Sequence, residues 1–266
     1  MKKDLPKDIT SYDLLKACAV IIMICDHIGF YLFPGHLWWR AVGRIGFPVW
    51  FFLAGYANSR DIPPKLWAAA LILLVGNFVA GMSIFPLNAL FTIILIRLLI
   101  DPVMRVSLKS KEQMFRVAVL MLVLMMPSYR LCEYGTQALI TAMFGYAVRH
   151  RSVVQGGRSA NMTVTGFALL SLVNFVIQQQ LMFNFSLPQF IIMAAGTLST
   201  TVLLYMFRSA TFPRVTASCP FLLRALIQFM GRYTLEIYVF HLLMFKAMGL
   251  YFQPHRFVPF NLSHPL

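Results

Sequence analysis

Charge is scarce in this 266-residue chain: only 12% of residues are Asp, Glu, Lys or Arg, against 59% apolar. Soluble globular chains carry about 25% charged residues, so that class is excluded. Cysteine is sparse as well. Cys18, Cys25, Cys132 and Cys219 lie far apart with no Cys-x-x-Cys, which implies no disulfide framework. There is no P-loop, no Gly-x-Ser-x-Gly and no dinucleotide fingerprint. No His-x-x-x-His or Glu-x-x-His sets metal ligands on one helical face, so no metal is expected. The alternation of about 10 residues that marks a membrane barrel strand is missing. The first apolar run has no small-residue cleavage site and carries Asp26 and His27 inside it. It reads as an uncleaved first span, not a signal peptide. Long linkers, internal repeats and low-complexity tracts are absent too, which leaves one domain over 1–266.

What the chain does have is a succession of apolar runs, each near the roughly 20 residues that a helix needs to cross a bilayer. Candidate spans fall at about 14–33, 40–58, 66–84, 87–104, 114–129, 134–149, 162–181, 188–207 and 229–251. Pro127 and Gly135 bracket a short turn at 128–133, Pro188 sits where a helix would start, and Gly156-Gly157 mark a loop. The segment 212–228, broken by Pro213 and Pro220, reads as an interfacial lead-in to the last span. The fold class is therefore all-α, a polytopic transmembrane helical bundle of about nine spans. With the N-terminus cytoplasmic, the inside loops hold 16 Lys and Arg and the outside segments hold 3. Among those assigned outside is Arg40. This positive-inside bias accounts for the formal charge of +14 without a nucleic-acid partner.

The most informative stretch is Ser11 to Arg60. Its first run ends in Asp26-His27, and Gly43-Arg44-Ile45-Gly46-Phe47-Pro48 opens the second. Ionisable residues are costly inside a membrane and face a protein interior or a water-filled cavity. His27 lies thirteen residues past Leu14, about 20 Å along a helix, and so in the outer half. Arg44, Asn88, Glu133-Tyr134 and His241 fall at the same depth. Neighbouring helical residues point about 100° apart, so Asp26 is expected to face another helix and pair with Arg44 while His27 faces a cavity. Arg44 is placed to bind an anion, to stabilise an oxyanion or to neutralise Asp26. Phe47-Pro48 is expected to kink its helix. Glu236 is expected to pair with Arg232 at i,i+4, and Arg97, Asp101 and Arg105, at the same spacing, to form a solvated or interhelical ladder.

DLLKACAVIIMICDHIGFYL followed by WWRAVGRIGFPVWFFLAGYANSR resembles the start of the TraX family of integral membrane proteins. Asn88 in LNALF, Tyr134-Gly135 and the late Tyr238-x-x-His241 resemble later features of that family in order. The resemblance implies acyl transfer from acetyl-CoA to an acceptor at or beyond the outer leaflet. For this family the acceptor is the N-terminal amine of a pilin-like membrane protein, and the bacterial inner membrane is the expected location. It is similar, too, to the broader membrane acyltransferases, with a first-span His and a following Arg.

The residues fit that chemistry. A free α-amine has a pKa of about 7.7–8.0, so an imidazole suffices to take its proton. His27 would be that base, or would itself carry the acetyl group. Asp26 would position the site, and Arg44 or a backbone amide would stabilise the oxyanion. Asn88, Glu133, Tyr134 and His241 are the candidate acceptor-binding residues. The phosphates of acetyl-CoA would rest on the cytoplasmic Arg149, Arg151 and Arg158. Alternative readings are an O-acetyltransferase acting on a glycan or lipid hydroxyl, and a proton-coupled transporter, against which the lack of internal repeats counts.

Overall fold

The computed structural model describes residues 6–151 and 158–260, and the side chains of all of these except 158–160. Lys2, Lys3 and the Gly156-Gly157 loop lie outside the described residues. The chain runs through α1 (Ser11–Tyr31), α2 (Leu37–Gly43), a 3-10 turn (Arg44–Gly46), α3 (Phe47–Tyr56), α4 (Pro64–Val79) and α5 (Ala89–Ser107). It continues through α6 (Lys111–Val123), α7 (Met125–Leu131), α8 (Gly135–Arg149), α9 (Arg158–Phe183) and α10 (Leu187–Tyr205). The last elements are α11 (Pro213–Ser218), α12 (Phe221–Arg232) and α13 (Thr234–Phe252). Among the described residues there is no strand.

Each of the nine expected stretches is helical over most of its length. Ser11–Tyr31, Asn161–Phe183, Leu187–Tyr205 and Thr234–Phe252 are long and apolar enough to cross a bilayer as single helices. Lys111–Val123 and Met125–Leu131 together make a fifth, bent by 55°. Large apolar side chains such as Val75, Phe115, Leu181, Leu203 and Phe240 are 60–70% exposed. Water would penalise so many bare aliphatic and aromatic groups, whereas acyl chains solvate them. The molecule is an all-helical integral membrane protein.

Two local expectations need correcting. The turn expected at 128–133 is shortened to 132–134: Met125–Leu131 is helical, with Pro127 tolerated in its first turn, where its missing N–H would be unpaired anyway. Pro48 does not kink a helix either, because it lies in the first turn of α3, just after the 3-10 turn. The expected start at Pro188 holds, with Ser186 N–H bonded to Gln189 Oε1 at 3.0 Å ahead of α10.

Several devices set the geometry of the site. Thr10 and Asp13 cap α1 reciprocally, with Asp13 N–H donating to Thr10 Oγ1 at 3.1 Å and Thr10 N–H to Asp13 Oδ2 at 3.0 Å. The same Asp13 receives Arg232 from the end of α12 at 3.3 Å, tying the first helix to the approach of the last. Helices α3 and α8 touch backbone to backbone. A Cβ on Gly55 would fall 1.9 Å from the Ala142 carbonyl oxygen, and one on Gly145 would fall 2.1 Å from that of Phe52. Small residues permit this approach where no hydrophobic driving force separates helix from lipid. Phe52, Phe144, Ile140 and Met143 fill the core around the contact.

Candidate active site

Asp26 and His27 leave the last turns of α1 in different directions, as adjacent helical residues must. Asp26, 1% exposed, faces α2 and the 3-10 turn. Arg40 Nη1 donates to its Oδ2 at 2.7 Å and to its backbone carbonyl at 3.1 Å. Arg44 Nε stands 3.2 Å from Oδ1, an ion pair without hydrogen-bond alignment. Arg44 also donates to the Tyr134 hydroxyl. Its guanidinium packs over the rings of Phe47 and Phe183, both at 4.8 Å. One buried carboxylate thus holds two buried guanidiniums, and aromatic faces take up part of the excess positive charge.

The expected Asp26–Arg44 pair is present, but Arg40 is no outside-loop residue. It is 9% exposed and belongs to the cluster. The signal was available: Arg40 and Arg44 are spaced i,i+4, which puts them on one helical face.

His27 faces α13. Its Nδ1 lies 2.7 Å from His241 Nε2, and His241 Nδ1 lies 2.6 Å from the Ile237 carbonyl oxygen one turn earlier. A carbonyl only accepts, so His241 carries its proton on Nδ1. For the neutral pair, His241 Nε2 is then bare and must accept, so His27 donates from Nδ1. That leaves His27 Nε2 with a free lone pair, and it makes no hydrogen bond among the described residues. The ring of Tyr238 stands beside both, 6.1 Å from His27 and 5.8 Å from His241 between centroids.

The other expected positions divide. Tyr134 opens α8 in a left-handed conformation, with φ of 67°, and meets Arg44. Glu133 is fixed through its backbone: its N–H bonds Leu87 O at 2.9 Å and its carbonyl accepts from Thr92 Oγ1 at 2.7 Å. Its carboxylate lies within electrostatic reach of Arg44 and Lys246. Asn88 is engaged in helix packing. Its Oδ1 caps α5 through Leu90 N–H at 3.1 Å and its Nδ2 donates to Ala70 O at 3.0 Å, so both ends are used in joining α5 to α4. Lys246, unassigned in the sequence reading, is 4% exposed on α13 with its ammonium 5.9 Å from the Tyr31 ring.

A cavity of about 780 Å³ leads toward this site from the end of the bundle where α1 begins. Its inner wall includes Met23, one turn before His27, together with Phe47 and Tyr238. Toward the other end its wall carries Tyr12, Lys16, Arg97, Arg149 and Arg232. Arg149 thus lines the cavity, its guanidinium 5.2 Å from the Tyr56 ring. Arg151 does not: it donates to Tyr205 O at 2.9 Å and stacks on that ring at 4.5 Å. The Arg158 side chain lies outside the described residues.

One further pairing differs from expectation. Glu236 meets Lys65 of the α4 start at 3.6 Å, because Arg232 is drawn to Asp13. Asp101 pairs with Arg60 at 3.0 Å, and Arg97 donates to the Asp61 carbonyl, so these α5 residues reach across to the α3–α4 connection.

These features define a helical integral membrane protein with a partly buried histidine pair and a buried acid–guanidinium cluster. The chain belongs to the TraX family, whose description is "TraX protein" and whose match covers residues 11–248. It is also similar to an uncharacterized protein, RP591, of Rickettsia prowazekii (strain Madrid E). The two are 33% identical over 143 residues, which is 53% of this chain and 57% of that protein. The chain thus matches little more than half the length of that relative. No solved structure matches.

Proposed function

We propose that the protein is a membrane acetyltransferase. It moves an acetyl group from acetyl-CoA to the N-terminal amine of a pilin-like membrane protein. The observation that carries this reading is the tautomer chain Ile237 O, His241, His27, which ends in an unpaired lone pair on His27 Nε2. A general base needs that free lone pair, and a second group to hold the ring in one orientation.

The acceptor amine gives its proton to His27 Nε2 while its nitrogen attacks the thioester carbon. When the tetrahedral adduct collapses, the C–S bond breaks and His27 returns the proton to the departing thiolate. His241 is a positioning residue. Asp26, Arg40 and Arg44 hold α1 against α2 and set a net positive charge beside the adduct's oxygen, since two guanidiniums face one carboxylate. The same lone pair also serves the double-displacement route, in which His27 Nε2 attacks the thioester first.

With the N-terminus cytoplasmic, as the distribution of Lys and Arg favours, the cavity opens toward the cytosol and His27 lies nearer the outer leaflet. Donor and acceptor then reach the histidine pair from opposite sides of the membrane.

The test uses purified protein and radiolabelled acetyl-CoA without acceptor, comparing wild type with His27→Ala after both are shown to be folded. Slow release of CoA by wild type alone supports the reading. Label retained on wild-type protein selects the acyl-carrier route. If wild type neither releases CoA nor acetylates any supplied N-terminal peptide, the transferase reading falls.

A further inference from the structure

The cavity wall is charged in a way that packing does not explain. Lys16, Lys65, Arg97, Arg149 and Arg232 line it, and among the described residues Glu236 is the only acidic side chain that does. Glu236 is taken up by Lys65, and Arg232 is held by Asp13. Lys16 and Arg149 make no ion pair and no hydrogen bond among the described residues. Arg97 has one backbone contact, to Asp61, and a buried Nε with no hydrogen-bond partner.

Basic residues that merely obey the positive-inside bias point outward and snorkel into bulk water. Here three come from different helices, α1, α5 and α8, and line one concave wall. Like charges in a shared low-dielectric concavity repel one another unless an anion lies between them. Beyond them the wall turns apolar, through Ile93, Leu90 and Phe51, before reaching Met23. From Lys16 to His27 the helix rises about 16 Å at about 1.5 Å per residue. The shape suits a ligand with a multiply charged head and a long uncharged arm.

We infer that Lys16, Arg97 and Arg149 form a binding site for a phosphate-bearing ligand at the wide end of this cavity. The inference rests on the transferase reading for its choice of nucleotide probe. In that reading the site receives the nucleotide end of the donor. The phosphates of an anionic lipid headgroup offer the same chemistry.

The experiment measures binding to purified protein in nanodiscs of zwitterionic lipid, by calorimetry, with CoA and with adenosine diphosphate as probes. A parallel arm replaces part of the lipid with phosphatidylglycerol and follows thermal stabilisation. The variant is Lys16→Gln with Arg149→Gln, which breaks no ion pair and is first shown to be folded by thermal unfolding; Arg97→Gln is tested separately. Each lost charge-assisted contact should weaken binding by roughly 10-fold, and salt should weaken the wild type more than the variant. Nucleotide binding that depends on these residues assigns a soluble ligand. Stabilisation by phosphatidylglycerol alone, with the same dependence, assigns a lipid. Either supports the site. The inference falls if neither nucleotide nor phosphatidylglycerol binds, or if the double variant responds to them as wild type does. A variant that transfers acetyl with unchanged donor KM and also keeps its phosphatidylglycerol stabilisation overturns the inference and leaves the transferase standing. Nucleotide binding without turnover does the reverse.

Discussion

A methyl group placed on Gly43 would stand 2.4 Å from the Asp26 α carbon and 2.3 Å from its β carbon. No real side chain fits there, so α2 reaches Asp26 only because residue 43 has none. Gly43→Ala must push the two helices apart and stretch the Asp26 contacts to Arg40 and Arg44. It should lower stability by about 1–3 kcal/mol, the usual range for overpacking. Gly35→Ala, which meets nothing within 4 Å, should be silent in the same thermal-unfolding measurement.

His27→Ala should reduce acetyl transfer by about 10²–10⁴-fold, the span of a lost general base. His241→Ala should cost less, because the base remains and only its tautomer and orientation are released. Single-turnover rates of the two variants, measured at saturating donor, check this order. Equal losses would mean that the rings act as one chemical unit.

Removing the carboxylate of Asp26 leaves two buried guanidiniums without the carboxylate they are paired with. Asp26→Asn should therefore destabilise by about 3–5 kcal/mol. Adding Arg40→Gln removes one of the stranded charges and should recover part of that loss. A double-mutant cycle on thermal stability reads the coupling directly.

Arg44→Lys keeps the charge but cannot hold Asp26 and the Tyr134 hydroxyl together while stacking on Phe47 and Phe183. It should lower activity nearly as much as Arg44→Ala. If lysine restores the rate, charge alone is what the site needs.

Asn88→Ala should lose about 1 kcal/mol of stability through the α5 cap and leave the rate per folded molecule unchanged. A specific loss of acceptor affinity would instead place Asn88 in the site.

The sequence made His27, Asp26, Arg44 and His241 visible because each interrupts an apolar run, where ionisable groups are costly. Arg40 escaped for the opposite reason. It sits beside Trp38 and Trp39 at the edge of a run, where a charge is ordinary, and only its spacing to Arg44 betrayed it. Asn88 caps α5, the ordinary role of a polar residue ahead of a helix. Glu236 misled because i,i+4 spacing offers only a few tenths of a kcal/mol, which a partner on another element easily outcompetes. The cavity wall was legible only in pieces. It is assembled from side chains far apart in sequence, and no local pattern records that they share a concavity.

The hydrogen bond between His27 and His241 joins residues 214 positions apart. Nearly the whole chain must leave the ribosome and insert before the second ring can meet the first. Until then His27 has no partner on Nδ1, its tautomer is free, and the inserted helices enclose an unfinished site. The pair is therefore completed last: only when α13 docks against α1 does a second ring hold His27 through Nδ1.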